Sequence, residues 1–119
     1  PPGVSCPAVC AVMDSEVVLL VTEPTPFGLH DFRLAVEAFS PLGAPLAAVI
    51  NRAGEGDRAV QELCRERGIP VLAEIPFSRD IAEGYARGRI VAGLNPGLRS
   101  TFESVRDALR ALARGDNHA

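Results

Sequence analysis

Three short apolar runs constrain this chain more than anything else in it. Val17 to Thr22 reads Val-Val-Leu-Leu-Val-Thr, and Leu46 to Ile50 and Val71 to Ile75 are shorter runs of the same kind. None alternates polar with apolar residues. A continuous β-branched and aliphatic run of this length is the pattern of a strand covered on both faces, as in a parallel sheet. The segments between the runs have helical period instead. Leu29, Phe32, Val36 and Phe39 recur at three and four, with Asp31, Arg33 and Glu37 between them, and Gly43 closes that helix. A second helix, from about Asp57 to Arg67, turns Val60, Leu63 and Cys64 inward and ends at Gly68. Strand, helix, strand, helix, strand predicts right-handed crossovers and a short parallel sheet in a three-layer α/β/α fold. A short helix near Asp80 to Arg87 follows, then a loop containing Asn95-Pro96-Gly97. A last helix, from about Ser100 to Ala113, buries Phe102, Val105, Leu109 and Leu112. Its Arg106, Arg110 and Arg114 line another face, read as solvated beside Glu103 and Asp107.

The 119 residues form one domain, 1–119, with no repeat or boundary. Three strands make a thin sheet, and an apolar strand such as Val17 to Thr22 at its edge lacks a neighbour. Something is expected to complete it.

Charge and composition exclude several functions. The net charge is −3, with arginines dispersed among acids and no polybasic stretch, which argues against direct nucleic-acid binding. The longest uncharged run, Ala38 to Asn51, is too short to span a bilayer and holds two prolines. A chain that starts at Pro1, with no signal-like stretch, reads as soluble, cytoplasmic, and processed or cut from something longer. All twelve basic side chains are arginine. With no lysine, no Schiff-base lysine, lysine base or P-loop lysine lies in these residues. Cys6, Cys10 and Cys64 are odd in number and irregularly spaced, unlike a disulfide framework. Cys6 and Cys10 would share a helical face, yet two thiols fall short of the four ligands of usual zinc and iron–sulfur sites, and neither is assigned a role. Cys64 reads as a buried structural thiol.

In open parallel sheets ligands bind beyond the carboxyl ends of the strands. Glu23-Pro24-Thr25-Pro26, Asn51-Arg52 and Ile75-Pro76-Phe77 follow the three strands, and Pro1-Pro2-Gly3 opens the chain where a strand would precede it. Two readings stand for each. Prolines after a strand can simply stop it, and Asn51 can be a turn residue that tolerates a left-handed backbone. Alternatively, the Asn51 carboxamide offers one donor and one acceptor, the complement of adenine N6 and N7. Pro76-Phe77 can press apolar surface on a flat base, and Gly3 lets its amide approach a phosphate.

Four strings carry a family resemblance: Pro-Pro-Gly-Val-Ser-Cys-Pro from Pro1, Val-Leu-Leu-Val-Thr-Glu-Pro-Thr-Pro-Phe-Gly-Leu-His-Asp from Val18, Val-Ile-Asn-Arg from Val49, and Gly-Ile-Pro-Val-Leu-Ala-Glu-Ile-Pro-Phe from Gly68. From Pro1 to about Leu112 the chain resembles the second half of MinD/ParA-type P-loop ATPases (the SIMIBI class). Most similar is the branch with an inserted ferredoxin domain, often labelled cobyrinic acid a,c-diamide synthase-like (CbiA) nucleotide-binding domains. The resemblance implies that Pro1, Pro2 and Gly3 are the switch II turn. It makes Asn51 the reader of adenine, with Arg52 where the family often has lysine, and Ile75, Pro76 and Phe77 the loop packed on the base. It sets Pro24, His30 and Asp31 near a nucleotide-sandwich dimer interface. For His30 and Asp31 a plainer reading stands beside it, Asp31 favouring the first turn of its helix through the dipole.

The resemblance also says what this chain lacks: the Walker A loop, the Walker B aspartate and the ferredoxin cysteines, and so any catalytic or metal residue. It implies the C-terminal portion of an ATPase that binds ATP and Mg²⁺ as a homodimer and is inactive as this portion alone. An iron–sulfur cluster, with a redox or iron–sulfur partner protein, would belong to the missing insert. Two alternatives are a non-catalytic α/β binding domain that lacks the P-loop and, more remotely, part of a corrinoid amidotransferase-type synthetase.

Overall fold

The computed structural model describes residues 6–54, 58–76 and 96–115. Pro1, Pro2, Gly3, Phe77, Asn95 and the helix expected near Asp80 to Arg87 lie outside them. The described elements are α1 (Cys6–Met13), β1 (Val18–Thr22), α2 (Pro26–Phe39), β2 (Leu46–Ala53), α3 (Ala59–Arg67), β3 (Val71–Pro76) and α4 (Pro96–Ala113). A single 3₁₀ turn, Ser40–Leu42, extends α2. The strands form one parallel sheet in the order β1-β2-β3. The fold is therefore α/β, with a small parallel sheet flanked by helices.

Chain order and strand order coincide, so α2 and α3 cross over on the same face of the sheet. There Phe32, Val36 and Phe39 of α2 and Val60, Leu63 and Cys64 of α3 pack with Ala8 and Val12 of α1 on Val18, Leu46, Ala48 and Ile50. The inward residues expected of α2 and α3 are thus core residues except Leu29, which is half-buried against the core. Leu98 and Val105 of α4 cover part of the opposite face. Ile50, Val36, Val60 and Cys64 are the largest fully buried side chains. Full burial of an aliphatic side chain is worth roughly 1.5–3 kcal/mol.

Turn chemistry sets where the helices begin and end. Thr25 caps α2: its backbone is extended, its Oγ1 accepts the Gly28 amide at 3.0 Å, and Pro26 takes the first helical position. Gly68 ends α3 in a left-handed conformation, φ 68°, and the Ile69 amide donates back to the Cys64 carbonyl at 2.8 Å. Pro45 and Pro70 precede β2 and β3, and their carbonyls accept from Val18 and Ala48, both at 2.9 Å.

Several expectations need correction. β1 is not covered on both faces, since Val21 is 64% exposed. α4 begins at Pro96 rather than near Ser100, because Pro96 serves as a helix start instead of a loop residue. Phe102 was expected to be buried and is 41% exposed, while Leu109 and Leu112 are half-buried, so Val105 is the inward anchor of that turn. Asp31 lies in the second turn of α2, since the helix begins at Pro26 and its first turn holds no acidic residue. No helix among the described residues is long and apolar enough to cross a membrane.

Candidate functional site

Side chains on a strand alternate between faces, so Val49 and Asn51 turn away from Ala48 and Ile50 and toward α4. Parallel pairing sets Asn51 directly beside Ile75. The two line one cleft of about 250 Å³ between the sheet and α4. Among the described residues its walls are Leu19, Val21, Val49 and Ile75 from the strands and Leu98, Phe102 and Val105 from α4, and Asn51 is the one polar side chain that lines it. An apolar slot with a single orienting group is the composition of small-molecule sites.

The local backbone at Asn51 is unusual. The β2–β3 register shifts between Asn51 and Ala53, and Arg52 within that bulge has φ 57°. Arg52 is the one non-glycine residue with positive φ among those described. The residue that tolerates the left-handed conformation is therefore Arg52, and Asn51 is no turn residue but lies within β2. A bulge re-aims the side chain next to it, and backbone strain of this sort concentrates at functional sites. The Arg52 amide donates to Asn51 Oδ1 at 3.0 Å. This contact identifies the oxygen end of the carboxamide and leaves one lone pair on Oδ1 and both Nδ2 hydrogens for a ligand.

The other expected site residues scatter. Pro76 ends β3 and is exposed, outside the cleft wall. Pro24 is buried, whereas His30 and Asp31 are exposed on α2, so only the latter two present surface to a partner. Neither lines the Asn51 cleft. Asp31 instead lines a larger groove, about 580 Å³, between α2 and the outer edge of β1. Among the described residues no three His, Cys, Asp or Glu side chains come together as a metal site. Cys10 is an exposed free thiol, and burial pushes the Cys64 thiol up to about 11.

Sequence reasoning named Asn51 and Ile75 and turned Val105 inward, but missed Leu98, which is also buried against the cleft. The signal was present in Pro96, a proline at the first position of a helix. It also missed the period-two set Leu19, Val21 and Val49, because an uninterrupted apolar run does not say which residues share a wall.

No protein-family model matches the chain. It is 32% identical over 103 residues to an uncharacterized protein of Methanocaldococcus jannaschii, MJ0579. The match covers 87% of this chain and 35% of the relative, so the chain spans about a third of the length of the relative it matches.

Proposed function

We propose that this chain is the base-recognition portion of a longer MinD/ParA-type ATPase, in which the Asn51 cleft receives the adenine of ATP. The observation that carries the proposal is the pairing of Asn51 with Ile75 in a cleft otherwise walled by aliphatic and aromatic groups. A purine ring is flat and apolar on its faces and presents donor and acceptor atoms at its rim. The slot suits the faces, and the clamped carboxamide suits the N6 donor and N7 acceptor of adenine. Guanine presents O6 in place of the N6 donor, so its rim would set an acceptor against the Oδ1 lone pair.

On this reading the phosphates and Mg²⁺ are held by groups outside these residues, and this chain alone does not hydrolyse ATP. Mg²⁺ requires a shell of oxygens, and bound triphosphate requires a nest of backbone amides. Homodimerisation around nucleotide, and an iron–sulfur or redox partner, belong to the same proposal for the longer protein. His30 and Asp31 are the exposed groups with which this chain would meet a second subunit.

Titration of the 119-residue chain with adenosine and with guanosine, followed by NMR, tests the base site. Adenosine should shift the Asn51 side-chain amide and the Val49, Ile75 and Phe102 signals, with weak affinity. Guanosine should shift them several-fold less. In Asn51→Ala the adenosine preference should vanish, a loss of about 1–3 kcal/mol for a good bidentate base contact. Equal response to both nucleosides, or shifts that avoid the cleft, would remove the adenine assignment and leave the chain as a binding domain of another kind.

A further inference from the structure

Three residues of α4 line the Asn51 cleft: Leu98, Phe102 and Val105. They stand at i, i+4 and i+7, which is one face of a helix. Leu98 and Val105 are buried and seat that face on the sheet, yet Phe102, between them in sequence, is 41% exposed. A phenyl ring is the largest apolar group of the three and the one that burial favours most. It stays open because the space in front of it is the cleft itself.

The strands set the opposite wall. Val49 and Ile75 lie on it, and Asn51 follows Val49 by two residues, on the same face of β2. Aliphatic side chains standing on one face of a sheet make a broad, nearly flat surface. Among the described residues Phe102 is the one aromatic ring in the cleft. A flat aliphatic wall on one side and a single ring on the other accept a planar ring system between them, with the Asn51 carboxamide at its rim. Pro76, expected to press on the base, lies outside the cleft wall, so Ile75 is the one described residue of β3 that reaches it.

We infer that Phe102 is the residue that stacks on the face of the bound base. The inference rests on the reading of this cleft as a base site, and it gives the face contact to α4 instead of the segment that follows β3. A base face carries π density and no pattern of donors and acceptors, so stacking on Phe102 adds affinity without telling adenine from guanine. The rim carries that pattern, and Asn51 reads it. The two roles are separable. Phe102 sets how tightly a purine is held, and Asn51 sets which purine it is.

The chain contains no tryptophan, so Phe102→Trp installs a single indole reporter at this position. A purine stacked on the indole quenches its emission, so adenosine should quench it saturably, with an affinity at least that of the unmodified chain. Phe102→Leu keeps an apolar, helix-favouring side chain and removes the ring. Its circular dichroism should match that of the unmodified chain. By NMR titration it should bind adenosine and guanosine each about tenfold more weakly or worse, at an unchanged ratio. Undiminished affinity in Phe102→Leu, a loss confined to adenosine, or adenosine shifts at Asn51 and Ile75 without quenching of the indole would overturn the inference and leave the adenine reading in place. Equal binding of both nucleosides by the unmodified chain, with both weakened in Phe102→Leu, would remove the adenine reading and keep the stacking role. Shifts that avoid the cleft in the unmodified chain would overturn both. If Phe102→Leu does not fold, quenching of the indole in Phe102→Trp decides.

Discussion

Arg52 holds a conformation that its side chain disfavours. A left-handed backbone costs an L-residue roughly 1–2 kcal/mol, less for asparagine and nothing for glycine. Nothing in the sequence marks an arginine for this role, and the natural reading gives it to the neighbouring Asn51. The structure reverses them, because Asn51 must keep an extended backbone to pair with Ile75, and the extra residue of the bulge falls on Arg52. Both Arg52→Gly and Arg52→Val remove the arginine side chain, and the valine variant, β-branched and poorly tolerated at positive φ, should be less stable than the glycine variant by about 1–2 kcal/mol. Urea midpoints of the two variants give the comparison, and a valine variant as stable as the glycine variant would contradict the strain. The place of Asn51 at the carboxyl end of the second strand was legible from the apolar run that it follows. The Asn51 Oδ1 contact with its own neighbour's amide was not, since it depends on that bulge.

At the scale of elements, the connection from β1 to α2 is closely packed. The Thr22 hydroxyl donates to the Gly28 carbonyl at 3.1 Å, Thr25 caps the helix, and Pro24 is buried between them. A Cβ on Gly28 would stand 2.3 Å from the Glu23 carbonyl oxygen. Glycine is therefore required here by close approach, within a helix that would otherwise prefer alanine. Gly28→Ala should destabilise by about 2–3 kcal/mol, against about 1 kcal/mol for loss of the cap in Thr25→Ala. Chemical denaturation of both variants checks the order, and a Gly28→Ala protein of unchanged stability would show that the joint can shift. The helices α2 and α3 were readable from their apolar periods and from the glycines that follow them, Gly43 and Gly68, whereas the cap at Thr25 and the first-turn Pro26 went unread. The start of α4 was misread, because Asn-Pro-Gly is as good a turn as a helix entrance. Strand ends were misjudged in a similar way, since the ladder continues through Asn51, Ala53 and Pro76 after the apolar pattern has stopped.

For the whole molecule, the core on the α2–α3 face contains an ionisable group. Cys64 is 1% exposed, and burial raises its thiol from 9.0 to about 11. The unfolded chain would lose this proton two decades of pH before the folded one does. Stability from this source is complete below pH 9 and falls as pH rises toward 11, by roughly 3 kcal/mol in all. Urea unfolding at pH 8 and pH 10.5 should show the decline, and Cys64→Val should remove most of it. An equal slope in the variant would place the titration elsewhere. The parallel three-stranded sheet was legible from the three apolar runs. What covers it was not, because hydrophobicity says that a surface wants a neighbour and not which one.

The coincidence of strand order with chain order also bears on how the sheet is made. Within this stretch each strand pairs with the next one in sequence through a single crossover helix, so the sheet is built from pairings of short sequence separation, the kind that form faster than pairings between distant segments.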